Sequence, residues 1–212
     1  AEKRVRSEVD RTTTLLSSLG KLKSTVADTQ SAARSLSGFS ATTTPEQMKA
    51  GISQLVSAFN ATVESSSSMS TTSGGADEIL GSARIGQNLK RAIKNDIALA
   101  DSLSEWGVKV NANGELTFDT KKFDEQKSKG NDGLGVFQKL GKAIDGVTTA
   151  RLDDDGVVGR SMNLLNKRAD ALKVQHASLI DAMQSDTLAL MDTSNQTQSN
   201  ALSTYLSIAK NR

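Results

Sequence analysis

Leu15, Leu19, Leu22 and Val26 step along the chain by four, three and four residues. The same stripe continues through Thr29, Ala33 and Leu36, and backward through Thr12, Glu8 and Val5. A 4-3 rhythm places every member on one face of an α-helix, and such a seam is buried only against another helix. The pattern predicts a stalk helix over residues 1–40. It needs a partner, because a single helix of this length is marginal in water.

Gly38–Thr43 reads as a break, and Thr44-Pro45-Glu46-Gln47 as a sharp helix start. Thr44 suits the N-cap, Pro45 the first helical position, and Gln47 completes a capping box. Met48, Ile52, Leu55, Phe59 and Val63 then share one face. The Ser/Thr/Gly tract from Ser65 to Gly75 has nothing to pack and predicts a mobile loop. Ile85, Leu89 and Ile93 predict one shorter helix from about Arg84 to Leu99.

The period then changes. Trp106, Val108 and Val110 alternate, Asn111-Ala112-Asn113-Gly114 supplies turn chemistry, and Leu116 and Phe118 alternate beyond it. This is a hairpin signal over residues 106–118, with Trp106, Val108, Leu116 and Phe118 as its core. Asp119 should cap a helix to about Lys129 with Phe123 inward, followed by a loop at Gly130–Gly135. Phe137, Leu140, Ile144 and Val147 define another short helix. Together these elements predict a small α+β head over residues 44–150.

From Arg160 to the end the sequence has no Gly and no Pro. The expectation is a second stalk helix over 157–212, about 75 Å long at 1.5 Å per residue for about 50 residues. Leu165, Ala169, Leu172, His176, Leu179 and Met183 keep the 4-3 rhythm. Beyond them the stripe shifts to Leu188, Met191, Ala201, Tyr205 and Ile208, with polar Thr193–Asn200 in between. The predicted fold class is mainly α: long antiparallel, coiled-coil-like N- and C-terminal helices flanking the head. Leu15, Leu19, Leu22 and Val26 are expected to pack against the stripe of Leu165, Leu172, Leu179 and Met183 as the assembly seam.

Composition narrows the function. The chain has 212 residues with 26 Lys plus Arg and 24 Asp plus Glu, a formal net charge of +2. That balance gives no reason to expect nucleic acid as a partner. Aromatics are 3%, so burial must come from aliphatic helix–helix seams. Cysteine is absent, which suits a chain exported unfolded and also suits a cytosolic one. No apolar run reaches the about 18–20 residues of a membrane span, and the start lacks the basic-then-apolar signature of a signal peptide.

Candidate chemistry is sparse. Asp153-Asp154-Asp155-Gly156 resembles a calcium loop only in part: with Gly156 at the sixth position, Arg151 falls at the first ligand place and no Glu stands at the twelfth. A solvated turn before a helix explains these acids, aided by the helix dipole. His176 is the single histidine, with no Cys to join it, too few members for a zinc or catalytic constellation. No phosphate-binding glycine loop and no nucleophile elbow occurs. The expectation is no enzyme, no catalytic or metal residues and no cofactor.

Several segments read together carry a resemblance. Leu55-Val56-Ser57-Ala58-Phe59-Asn60-Ala61-Thr62-Val63 is similar to an "FV-x-AYN-x-LV" helix, and Ile79–Ile85 to a "G-x-L-x-G-D-x-x-(V/L)-R" step, with Ser82 where Asp is usual. Leu103–Asp119 resembles "L-x-x-LGI-x-(V/L)-(D/N)-x-(D/N)-G-x-L-x-(L/F)-D" and is the most specific match. Gly156–Arg160 resembles the "G-x-(L/I)-x-x-R" that opens a last long helix. In this order the segments resemble the C-terminal half of the flagellar filament-capping family (hook-associated protein 2 type). That family carries a β-rich plate between its N-terminal helix and the "FV-x-AYN" helix. Here only Gly38–Thr44 lies between them, so the chain resembles a short form without it.

The resemblance implies a structural and assembly role in the bacterial flagellum: a ring-like homo-oligomer at the filament tip that promotes flagellin polymerisation. The implied partners are further copies of itself, flagellin, hook–filament junction proteins and an export chaperone. The implied location is extracellular, after export without a cleavable signal peptide. A second class, a helical secretion-tip, translocator or adhesin-like protein contacting a host or membrane partner, shares the same long helices.

Overall fold

A computed structural model describes residues 2–72 and 77–210. Its elements in chain order are α1 (Glu2–Ser37), α2 (Pro45–Thr72), α3 (Asp77–Ala83), α4 (Ile85–Lys94), α5 (Ile97–Glu105), β1 (Val108–Val110), β2 (Leu116–Phe118), α6 (Thr120–Ser128), α7 (Leu134–Leu152) and α8 (Val157–Lys210). The protein is mainly α, with long N- and C-terminal helices and one small antiparallel hairpin. It divides into two compact units, one of Ala1–Thr12 with Lys167–Arg212, the other of Thr13–Asn166. The division falls inside α1 and inside α8, so α1 from Thr13 onward belongs with the elements of the head.

Local chemistry sets the helix starts. Thr44 and Gln47 form the reciprocal capping box: Gln47 N–H donates to Thr44 Oγ1 at 3.2 Å, and Thr44 N–H to Gln47 Oε1 at 2.9 Å. Asp96 caps α5 by accepting from Leu99 N–H, and Asp119 caps α6 by accepting from Lys121 and Lys122 N–H.

Within the 13–166 unit α1 lies antiparallel to both α2 and α7. Thr29 and Thr62 hydroxyls meet at 2.9 Å, while Gly51 lets the Phe39 ring and Leu36 close on the start of α2. On the other side Gln30 Nε2 donates to Thr149 Oγ1 at 2.7 Å and Arg34 Nε to Asp145 Oδ1 at 2.9 Å. Gly141 sits against the Ala33 carbonyl, where a Cβ would come within 2.4 Å. That contact admits α7 only because the position has no side chain.

Three expectations are corrected. Ser65–Thr72 is not a loop but the last turns of α2, with Ser65, Ser66 and Met69 buried; Ser73–Gly75 lie outside the described residues. The serines are small where α4 crosses: a Cβ on Gly86 would stand 3.2 Å from Val63 Cα. Ser66 Oγ stays satisfied there by donating to the Ala83 carbonyl and accepting from Gly86 N–H. The single helix expected over Arg84–Leu99 is two, α4 and α5, broken where Asp96 begins a new helix with its own cap. The loop expected to reach Gly135 ends earlier, because α7 already starts at Leu134, whose N–H is taken by Asp132 Oδ1 at 3.1 Å.

Candidate assembly seams and the hairpin clamp

Leu15, Leu19, Leu22 and Val26 are all buried in the main core of the 13–166 unit, which also holds Ile52, Leu55, Phe59 and Met69 of α2. Of the predicted α8 stripe, Leu165 shares that core. Leu172, Leu179 and Met183 belong to the other unit, where the α1 residues are Glu2–Thr12 rather than Leu15–Val26.

In that smaller unit the two chain segments run antiparallel. Arg168 Nη2 donates to Glu8 Oε2 at 2.7 Å, and Glu2 lies beside Ile180 and Met183, further along α8. Val5 and Thr12 are buried, and Leu172, His176 and Leu179 are half-buried. From the position of Glu2 onward the stripe emerges: Met183 is 51% exposed, Leu188 64% and Leu190 72%.

The hairpin pairs Val108 with Phe118, Lys109 with Thr117 and Val110 with Leu116. Gly107 and Asp119 are joined by a backbone bond, as are Asn111 and Glu115. By the alternation of an antiparallel ladder, Leu116 directs its own N–H and C=O away from β1. Asn60 on α2 meets both: its Nδ2 donates to the Leu116 carbonyl at 2.9 Å, and Leu116 N–H donates to its Oδ1 at 2.7 Å. One side-chain amide thus stands in for a third strand.

Trp106, Val108 and Leu116 are buried and Phe118 is half-buried. Trp106 lies 5.5 Å from Phe123 and 5.6 Å from Phe137, centroid to centroid, in tilted and edge arrangements that aromatic pairs prefer. Lys127 Nζ lies 5.6 Å from the Trp106 ring centroid. Gly133, at φ +68°, presses on the indole, where a Cβ would sit 2.7 Å from the ring.

Electrostatically the sharpest group is Asp96. The Lys139 ammonium, 2.7 Å from Oδ2, holds its carboxyl below the usual aspartate range, and the Leu99 N–H adds to the effect. Asp153, Asp154 and Asp155 are exposed. No group of three or more potential metal ligands occurs among the described residues. A cleft of about 610 Å³ opens between the end of α2, α4 and the hairpin turn. Arg84 and Lys90 face Glu64 and Glu115 around it, so its charges balance and favour no ionic ligand.

Sequence reasoning passed over Asn60 as a clamp, Ser66 as a crossing point and Asp96 as a cap. Asp96 carried a readable signal, an Asx residue directly before the apolar Ile97-Ala98-Leu99. Asn60 stands at the Asn of the "FV-x-AYN" resemblance, but nothing in that motif or in the spacing pointed to the backbone of Leu116. No helix among the described residues is long and apolar enough to cross a membrane. Comparison with family models, curated proteins and solved structures finds no match.

Proposed function

We propose that this chain is a non-enzymatic structural subunit of the bacterial flagellum, resembling the filament cap and acting through helix packing at the growing end. The observation that supports this is α8. It runs on from the half-buried Leu172 and Leu179 into a long stretch whose large apolar side chains stand in solvent. A helix face of that kind is complete only when another helix covers it. Residues 174–209 hold Asp181, Asp186 and Asp192 and no Lys or Arg. That charge disfavours an anionic lipid surface and favours a protein helix, so the secretion-tip and membrane reading ranks second. The ring-like homo-oligomer, flagellin, the junction proteins and the export chaperone enter through the resemblance and belong to the proposal.

The test is immunogold electron microscopy on the source cells. Label at the free ends of flagella supports the reading. Label confined to other surface sites, or absent from flagella, overturns it and promotes the secretion or adhesion class.

A further inference from the structure

The groove lined by Ile180, Met183, Gln184, Thr187, Leu188 and Met191 of α8, and by Glu2 of α1, encloses about 570 Å³ and is open to solvent. Its charges say what fits it. Downstream, Asp181, Asp186 and Asp192 flank the apolar stripe with no compensating cation before Lys210. Upstream, Lys167 and Lys173 are exposed on the same helix and outnumber Asp170, which lies 3.7 Å from Lys173 in a loose, exposed pair. The helix is therefore basic on one side of Ile180 and acidic on the other.

We infer that this groove is filled by α8 of a second copy of the chain, the two helices antiparallel and crossing near Ile180. A parallel pair would set the three aspartates of one copy against those of the other, which is destabilising. An antiparallel pair centred on Ile180 reverses this. Lys167 falls within a turn of Asp192 of the other copy, and Lys173 within a turn of Asp186. The same register sets Met183 opposite Ala177 and Met191 opposite Ala169, while Ile180 meets itself and Leu188 meets Leu172, so apolar groove positions face apolar or small ones. The inference uses the same exposed face of α8 that supports the proposed function, but its tests read self-association, which can fail or succeed whatever the flagellar location shows.

The purified full chain should sediment as a dimer in the micromolar range, and Met183→Asp with Met191→Asp should make it a monomer with unchanged helical circular dichroism. Two charge-reversed chains give a sharper readout. Asp186→Lys with Asp192→Lys, and Lys167→Glu with Lys173→Glu, should each be monomeric alone, and a one-to-one mixture should recover the dimer. Because the chain has no cysteine, orientation can be read directly. Ile180→Cys should form an interchain disulfide on mild oxidation, whereas Ser199→Cys should not: in the antiparallel pair those positions lie about 57 Å apart at 1.5 Å per residue, beyond the about 7 Å Cα limit of a disulfide. A wild-type chain that stays monomeric overturns the inference and leaves the groove to a helix of another protein. Cross-linking at both positions overturns it in favour of a parallel pair. A dimer indifferent to the charge reversals also overturns it.

Discussion

The side chain of Asn60 closes two hydrogen bonds on the backbone of Leu116, one donated at 2.9 Å and one accepted at 2.7 Å. A two-stranded hairpin is at best marginally stable in water, and strands of three residues each are shorter than most. The clamp ties this hairpin to α2 across 56 positions of sequence. Asn60→Ala leaves a partly buried N–H and C=O without partners, at a cost of about 1–3 kcal/mol. The expected result is a lower thermal midpoint and faster amide hydrogen exchange at Leu116. Asn60→Asp can still accept from the N–H but cannot donate, so it should fall between the two. Equal exchange at Leu116 in all three proteins would show that the clamp does not hold the hairpin.

The α1 seam and the far stripe of α8 look alike as letters and should behave oppositely when cut. Leu22 is fully buried and Leu190 is 72% exposed. Leu22→Ala should destabilise the head by about 2–5 kcal/mol, through lost burial and the cavity left behind. Leu190→Ser removes an apolar side chain already in water and should leave the thermal midpoint of the isolated chain within error. Denaturation followed by circular dichroism decides both, and a large loss in Leu190→Ser at concentrations where the chain is monomeric would mean that α8 is covered within the monomer.

Gly133 supplies two things at once, a positive φ and room for the Trp106 ring. Gly133→Ala meets both obstacles, since a left-handed backbone is costly for alanine, about 1–3 kcal/mol with the local strain, and its Cβ would stand inside contact distance of the indole. The aromatic cluster of Trp106, Phe123 and Phe137 should loosen, shifting Trp fluorescence to the red and lowering stability. An unchanged emission spectrum with a normal midpoint would place the Trp106 ring elsewhere.

What could be read from the letters was whatever repeats or punctuates. The 4-3 stripe of Leu15–Val26, the Thr44–Gln47 box, the turn at Asn111–Gly114 and the cap at Asp119 each express a local rule, and each lies where that rule puts it. The failures are tertiary. Ser65–Thr72 has loop composition, yet small polar side chains are what α4 needs in order to cross closely, and Ser66 finds its partners on Ala83 and Gly86. The break between α4 and α5 was hidden because Ile85, Leu89, Ile93 and Ile97 keep one four-residue step through it, although Ile97 is exposed. Which part of α1 meets which part of α8 was not legible either. A heptad seam states that a partner exists without giving its register: Glu8–Arg168 marks where α1 meets α8, and Arg34–Asp145 shows that the later part of α1 meets α7 instead.

Asp96 gives the head a pH dependence whose sign follows from its two bonds. It caps α5 through Leu99 N–H and pairs with Lys139 on α7, and both favour the charged carboxylate, lowering its pKa in the folded state. A group lowered in this way contributes stability that is fully present above the unfolded-state value, about 3.9 for aspartate. That contribution is lost as the pH falls through the folded value, where the carboxyl takes up its proton. Asp96→Ala should therefore lower the thermal midpoint at pH 7, because the cap and the ion pair are both gone. As the pH is lowered through and below the usual aspartate range, the difference between the two proteins should shrink, since protonation leaves the wild type without its charged cap as well. Added salt at pH 7 should weaken the Lys139 contribution and spare the hydrogen bond to Leu99. Thermal unfolding of both proteins between about pH 2 and pH 7, a range that brackets the titration, reads this directly. A gap of constant size across that range would mean that Asp96 acts through packing or helix propensity rather than through its charge.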